Sequence, residues 1–313
     1  MKYLAICHNI FALNFPDDWS KESCDPYPGS HWMIYFKKFA EEQGYKVIQP
    51  TECADAITMK TINPKDVQFV QEEGNYKGVV LSNLGAKPSV LFCLESPLYT
   101  PVFYDRLNEW NWRFKSQILF GSLGTHAAYF PSFDEHEHAP IPDWNFREKR
   151  LCYIASNKHY RSSFQPDKSS KSYDEAVRHQ LHDERYDAIK RLSPDVYGRG
   201  WPEGVGKEIP PGDKAKVLSE YQYSICYENC SMSGYVTEKI IDCLVAGTVP
   251  IYIGAPDIKK YVPGDCFLDS PYDVFGDSAG ISKRGQHFLE SDLGKKFSYQ
   301  SFARTVLECV MND

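Results

Sequence analysis

Two rhythms of apolar and polar positions run along this chain. Short apolar runs bounded by Gly, Pro, Asn or Asp predict buried strands, and stretches with apolar residues three or four apart predict helices between them. The clearest case is residues 221–256, YQYSICYENCSMSGYVTEKIIDCLVAGTVPIYIGAP. Tyr223–Tyr227 reads as a strand, Glu228–Gly234 as a polar turn, and Thr237 as the cap of a helix with Ile240, Ile241, Leu244 and Val245 on its apolar face. Gly247 ends that helix and Val249–Ile253 is the next strand. Strand, loop, helix, strand is the unit of an open α/β sheet, in which ligands bind at the carboxyl ends of strands.

The same rhythm organises the rest. Tyr3–Cys7 predicts a strand, 9–30 an exposed loop, His31–Gln43 a helix stopped by Gly44, and Tyr45–Ile48 a strand. Asp55–Gln71 gives no clear pattern. Tyr76–Ser82 and Ser89–Leu94 read as strands, Tyr99–Trp112 as helical, and Ile118–Phe120 as strand. Phe130–Asp143, rich in Pro and acidic residues, reads as a linker. Arg150–Ala155 then restarts the pattern with a strand, 158–172 is a polar loop, Asp183–Leu192 and Lys214–Tyr221 are helical, and Ser298–Met311 is a last helix. The expected domains are therefore 1–143, 144–295 and a terminal helix at 296–313, with no internal repeat.

Composition narrows the function. With 313 residues, two domains are the default, and 42% hydrophobic with 25% charged residues is ordinary for a soluble enzyme. The net charge of −7 and the lack of a Lys/Arg block speak against a nucleic-acid partner. Ten cysteines without a C-x-x-C pair, many in apolar runs, suggest buried thiols in a reducing compartment; Cys226 and Cys230 could pair in principle. No run approaches the length of a membrane span, and the start, MKYLAICHNIFALNF, reads as a first strand and not a signal peptide. A cytoplasmic location is expected, with peripheral membrane association left open.

Three places offer chemistry. Unpaired N–H groups in the first turn after Thr237, joined by Lys239, suit a phosphate; Glu238 can accept from sugar hydroxyls, and Tyr235 offers a ring and a hydroxyl. The same residues also describe an ordinary amphipathic helix with a solvated Glu–Lys pair. Glu95 follows the Ser89–Leu94 run and precedes Pro97, at the position of a catalytic carboxylate or of a helix cap. Asp134–His138 has metal-like spacing, although such acidic, Pro-flanked segments are usually linkers. There is no G-x-G-x-x-G after a first strand, which removes a dinucleotide oxidoreductase, and no Asp-x-Asp to hold a metal.

Residues 227–256 resemble the donor-binding motif of the α1,3-fucosyltransferases, glycosyltransferase family 10, in its order Tyr-Glu-Asn, Tyr-Val-Thr-Glu-Lys and Gly-Ala-Pro. Glu95-Ser96-Pro97 after an apolar strand, Ser156-Asn157, Asp195–Arg199 and the VPGDCFLD that runs to Asp269 are similar to further parts of that family. The resemblance implies an α/β fold of GT-B architecture: two Rossmann-like domains facing a cleft, an acceptor-binding N-terminal one and a donor-binding C-terminal one, with the last helix packing back on the first. It implies an inverting transfer of L-fucose from GDP-β-L-fucose to a hydroxyl of a glycan acceptor, with Glu95 as general base on the first domain. Arg199 and Lys239 would neutralise the leaving diphosphate, with Arg161 and Arg185 as weaker candidates. Glu238, Tyr235, Asn229 and Thr237 would hold the donor, and His31 could face the acceptor, although a lone His at a helix start is more often structural. No cofactor is required beyond the donor substrate; stimulation by a divalent metal stays open. The absence of an N-terminal span would point to a bacterial, viral or otherwise soluble version. Within the same architecture, a different nucleotide-activated sugar is the alternative donor. A non-catalytic carbohydrate-binding protein would have no use for diphosphate-binding cations.

Overall fold

The computed structural model of the chain describes residues 1–8, 30–73, 76–111, 113–136, 140–147, 149–157, 170–210, 212–272 and 276–313. The expected loop at 9–29, most of that at 158–172, including Arg161, and Glu137 and His138 of the metal-like segment lie outside the described residues.

Two compact units emerge. The first comprises Met1–Leu94, Phe103–Ala128 and Tyr299–Asp313. Its elements are β1 (Lys2–Cys7), α1 (Trp32–Glu42), β2 (Tyr45–Ile48), α2 (Pro50–Thr58), β3 (Val67–Glu72), α3 (Tyr76–Asn83), β4 (Lys87–Phe92), α4 (Pro101–Asp105), α5 (Leu107–Asn111), β5 (Ser116–Leu119) and β6 (His126–Ala127). The sheet order is β2-β1-β3-β4-β5-β6, and every pairing is parallel. A parallel sheet covered on both faces needs strands buried along most of their length, which explains the apolar runs; Leu4–Cys7 and Ser89–Phe92 are all buried.

The second unit comprises Glu95–Val102 and Tyr129–Ser298. It contains β7 (Lys149–Ile154), α6 (Lys171–Arg178), α7 (His182–Leu192), β8 (Asp195–Tyr197), β9 (Gly206–Lys207), α8 (Lys214–Ser219), β10 (Tyr221–Tyr227), α9 (Glu238–Val245), β11 (Val249–Ile253) and α10 (Ser278–Leu289). Its parallel sheet runs β11-β10-β7-β8-β9. The final helix, α11 (Tyr299–Met311), goes back to the first unit. Its buried Phe302, Ala303, Val306 and Val310 share a core with Trp32, Met33, Phe36 and Ala40 of α1. That i, i+4 spacing makes one apolar stripe. Trp32 meets Phe302 edge to face at 5.0 Å, so truncating Phe302 to Ala should cost about 3–5 kcal/mol.

The strand order fixes where a ligand can sit. In the second sheet the chain runs outward from β7 to β8 and β9, then returns to the other side of β7 with β10 and β11. The reversal lies between β7 and β10, and the crevice beyond the carboxyl ends of such a pair is where open α/β sheets bind ligands. In the first sheet the equivalent reversal lies between β1 and β3.

Several expectations change. Tyr76–Ser82, read as a strand, lies in α3: Gly78 and Leu81, three apart, are buried, whereas Val79 and Val80 face solvent. The pattern-less 55–71 resolves into the end of α2 and most of β3, and α10 was not anticipated. Helix α6 begins inside the expected polar loop, where the Ser170 hydroxyl caps it by accepting from Tyr173 N. The units divide at Ala128 and Tyr299, not at 143 and 295, and Glu95–Val102 belongs to the second. Among the described residues, nine cysteines are buried and form no disulfide. Cys226 Sγ stands 3.1 Å from Cys243 Sγ, so its neighbour is not Cys230. No helix among the described residues is long and apolar enough to cross a membrane.

Candidate active site

Strand β10 ends at Tyr227, at the switch point of the second sheet, and Glu228 follows. The Glu228 side chain is fully buried, 0% exposed. A buried carboxylate is tolerable only when its oxygens are satisfied. Here Oε1 accepts from Thr237 N at 2.8 Å, and Oε2 accepts from Thr237 Oγ1 at 2.7 Å and from Lys239 Nζ at 3.2 Å. Lys239 Nζ also donates to Thr237 Oγ1 at 2.9 Å. Thr237 occupies the N-cap position of α9 as expected, but its hydroxyl does not cap the helix; the carboxylate has taken it.

Gly254 makes room for this. A Cβ there would stand 2.5 Å from Glu228 Cγ and 2.3 Å from the Tyr252 hydroxyl. The Gly-Ala-Pro that ends β11 and the Tyr-Glu-Asn that ends β10 are therefore one packing solution, brought together by parallel pairing of Tyr227 with Ile253.

Charge is concentrated on the first turn of α9. Glu238 Oε1 lies 3.6 Å from Lys239 Nζ and 3.9 Å from Lys214 Nζ, while Lys214 also pairs with Asp242 at 2.6 Å. Burial works against the Glu238 charge, but Lys239 and Lys214 outweigh it and hold its pKa down at about 2. Burial likewise works against the Lys239 charge; Glu228 and Glu238 outweigh it, together with like-charge repulsion from Arg185, and raise its pKa above the usual lysine value. Both groups therefore stay ionised at neutral pH.

Arg185, on α7, is the second cation of the cluster, only 5% exposed. Its Nη2 donates to Tyr227 O and to Asn229 Oδ1, both at 2.7 Å. Its buried Nε has no hydrogen-bond partner among the described residues. A buried guanidinium N–H without an acceptor costs free energy, and an anionic ligand is one way to recover it. Asn229 Nδ2 in turn donates to the Tyr235 hydroxyl at 3.3 Å. The Tyr235 ring is 2% exposed, so it supports the loop from below and is not a stacking face for a nucleotide base.

Glu95 is exposed, three residues beyond the end of β4. It was expected on the first lobe, yet it groups with the second unit. Its charge reaches the hydroxyls of both Tyr99 and Tyr235. Burial is the main force raising the Tyr99 pKa to about 12, with Arg185 and Lys239 pulling down and Glu95 pushing up. Burial, then Glu95, raises that of Tyr235.

The structure thus brings together Glu95, Asn229, Tyr235, Thr237, Glu238 and Lys239. Arg199 makes no hydrogen bond or ion pair with any of them among the described residues. It is exposed on the turn after β8 and has no ion pair or side-chain hydrogen bond among the described residues. Gly198, at φ +126°, lets that turn approach β7 so closely that a Cβ would be 2.2 Å from Ala155 O. Asn157 then fixes it, donating N–H to Arg199 O at 2.8 Å and Nδ2 to Gly200 O at 2.9 Å. The Ser-Asn and Asp-x-x-Gly-Arg segments are therefore two sides of one clamp. His31 precedes α1, where its ring packs edge to face on Tyr299 at 5.2 Å, within the first unit. Sequence reasoning gave no role to Glu228, although its place directly after a buried parallel strand was a signal, and ranked Arg185 below Arg199. It also passed over His8, at the switch point of the first sheet, whose Nδ1 is 3.3 Å from Glu72 Oε2.

Residues 147–284 match the family model for the glycosyltransferase family 10 (fucosyltransferase) C-terminal domain. That stretch, less than half of the chain, is what it shares with the family 10 model. It is 39% identical over 75 residues to alpha-(1,3)-fucosyltransferase FucT of Helicobacter pylori, covering 24% of this chain and 15% of that protein. It is 21% identical over 223 residues to alpha-(1,3)-fucosyltransferase 4 of Bos taurus, covering 68% of this chain and 51% of that protein. The chain therefore aligns with about half, or less, of each of these relatives' own length. A crystal structure of an alpha1,3-fucosyltransferase covers 100% of this chain and 90% of its own, with a TM-score of 0.51 at 18% identity. That likeness, with the two parallel α/β units, makes the fold GT-B. Glu228, Arg185, Glu238 and Lys239 of the candidate site all fall inside the matched family 10 domain, whereas Glu95 falls outside it.

Proposed function

We propose that this chain belongs to glycosyltransferase family 10 and is an inverting glycosyltransferase that moves L-fucose from GDP-fucose to a hydroxyl of a glycan acceptor. The observation that carries the reading is the pair of cations at the β7/β10 switch point: Lys239, mostly buried and held by Glu228, and Arg185, buried and held by Asn229. A diphosphate leaving group needs charge stabilisation as the glycosidic bond breaks, and preorganised donors in a dry site supply it most effectively. Lys239, Arg185 and the N–H groups opening α9 receive the diphosphate. Glu238, ionised and one third exposed, accepts from the donor ribose. Arg199, at the rim, is an outer contact to the phosphates.

Glu95 is the general base. In the proposed step the acceptor hydroxyl gives its proton to the Glu95 carboxylate while its oxygen attacks the anomeric carbon, and the bond to the diphosphate breaks on the opposite face. One C–O bond forms, one breaks, and the configuration inverts. Charge balance needs no metal, because two cations and a helix end meet the leaving anion. His31 is an acceptor-side contact.

The test is a donor panel. GDP should raise the melting temperature while UDP does not, and GDP-fucose should be turned over in preference to GDP-mannose and UDP-hexoses. Protection by UDP alone overturns the fucosyl reading and leaves the same architecture with another donor. Glu95→Gln should keep GDP binding and lose turnover by about 100-fold or more.

A further inference from the structure

We propose that Tyr99 and His182 are a positioning pair for the general base, their 3.0 Å bond anchoring the strap Glu95–Val102 to the helix that also carries Arg185. The inference rests on the reading of Glu95 as base.

A general base works only if its carboxylate is held at one place relative to the acceptor oxygen. Glu95 is exposed, it has left its strand, and its side chain has three rotatable bonds. A base displaced by about 1 Å can lose about 100-fold in rate, so something must hold its backbone. Among the described residues, contacts at Ser96, Leu98 and Tyr99 tie the strap to the rest of the second unit. Ser96, fully buried, lies against the Cys230 thiol, and its carbonyl accepts from Tyr99 N and Thr100 N to form a turn. Leu98, 1% exposed, forms a small core with Ala176 of α6. The Tyr99 hydroxyl meets Nε2 of His182, which is 2% exposed in the first turn of α7.

The last hold differs from the others because of where His182 sits. His182 and Arg185 are three residues apart on α7 and so share a face. One end of that turn grips the strap that carries the base; the other grips Tyr227 O and Asn229, next to Glu228 and Lys239. The His182 backbone is itself fixed, its N–H donating to Gln180 Oε1 at 2.7 Å, and Leu181 N donates to Asn229 O at 3.0 Å. Helix α7 therefore sets the separation between the group that removes the acceptor proton and the groups that receive the diphosphate. Both are assembled on one unit, and Glu95 is part of the donor side although it follows a strand of the first sheet.

The experiment measures GDP release from GDP-fucose by the full chain, with the acceptor that scores in a glycan panel, or with water where none does. GDP affinity is measured in parallel by calorimetry. Tyr99→Phe removes the hydroxyl and keeps the ring. Its kcat should fall about 10- to 100-fold while the donor KM and the GDP Kd change by less than about 3-fold. His182→Gln should behave alike and serves should Tyr99→Phe fold poorly. Because both act only through the base, Tyr99→Phe combined with Glu95→Gln should be no slower than Glu95→Gln alone. A full-rate Tyr99→Phe, a loss that adds to that of Glu95→Gln, or a matching loss of GDP affinity overturns the pair. A near-normal Glu95→Gln sinks the base reading itself; a slow Glu95→Gln beside a normal Tyr99→Phe sinks only the positioning role.

Discussion

Glu228 and Lys239 form an ion pair of 3.2 Å in which the carboxylate has no exposure and the ammonium side chain 13%. Eleven positions separate them in sequence, and the loop between them is folded back by the two bonds from Thr237. Such a pair contributes little net stability, but breaking it strands a charge at a cost of about 3–5 kcal/mol. Lys239→Ala should fall toward the low end, since Thr237 still donates twice to Glu228, and should weaken GDP binding as well. Glu228→Gln leaves Lys239 charged but unplaced: GDP affinity should drop about 10-fold with a smaller loss of stability. The combined variant Lys239→Met, Glu228→Gln should recover stability without recovering GDP binding. Urea unfolding and calorimetry separate the two effects. Recovery of GDP affinity in the double variant would mean that the ammonium does not meet the phosphates.

In the proposed reading, Arg185 and Arg199 are both candidates to contact the diphosphate. Arg185 is buried with an unanswered Nε, whereas Arg199 is exposed on a glycine turn. Arg185→Lys keeps the charge but loses the planar fork, so its single ammonium cannot hold Tyr227 O and Asn229 and also present a donor at the position of Nε. It should weaken GDP binding by at least about 10-fold, and Arg199→Ala by less than about 3-fold. The reverse ranking, read by calorimetry at two salt concentrations, would return the phosphate contact to the Gly-Arg turn.

That contrast shows what a sequence exposes. The strand, loop and helix of 221–245 were legible because they are local: they follow one another, and Glu238 and Lys239 stand where the helix begins. Arg185 gives no local signal. It sits in an ordinary charged helix, and its partner Asn229 is 44 residues away. Glu95 was legible as a residue but not as a member of a lobe, because the strap's allegiance is decided by Leu98, Tyr99 and their partners on α6 and α7. Helix α3 was misread because its two valines look like a strand interior. They are on the surface, and the buried positions are Gly78 and Leu81, three apart; Gly78 packs so closely that a Cβ would meet Gln71 Oε1 at 1.9 Å.

His8 makes a pH prediction. It is 6% exposed, and burial pushes its pKa down to about 3 although Glu72 is near. In the unfolded chain it titrates near the usual value of about 6.5. Below that pH the unfolded state takes up a proton that the folded state refuses, so stability is full above about 6.5 and declines as pH falls toward the folded value. The slope is at most about 1.4 kcal/mol per pH unit for one group. His8→Gln should flatten the decline between pH 6.5 and 5, a window above the point where Glu238 would begin to protonate in the unfolded state. Urea midpoints at three pH values suffice. An unchanged slope in the variant would show that His8 is charged in the folded protein and paired with Glu72.

Arg147 carries the last prediction, one of stability alone. It is 6% exposed, and burial draws its pKa down to about 10. Its Nη1 donates to Tyr221 O at 2.8 Å and Thr248 Oγ1 at 2.9 Å; its Nη2 donates to Ala246 O at 2.7 Å and Pro142 O at 3.2 Å. These acceptors close the start of β10, the end of α9 and the segment leading into β7. Gly247 lies against it with φ +65°, and a Cβ there would stand 2.9 Å from Nη2. Arg147→Met fills most of the volume but leaves these buried acceptors without their donor. The unfolding midpoint of the second unit should fall by an amount equivalent to about 2–4 kcal/mol, with GDP affinity at saturating folded fraction unchanged. Arg147→Lys, which can satisfy only part of the fork, should fall between. Equal stability for Arg147→Met and the parent would mean that the freed carbonyls find other donors, and that the closure of α9 does not depend on this guanidinium.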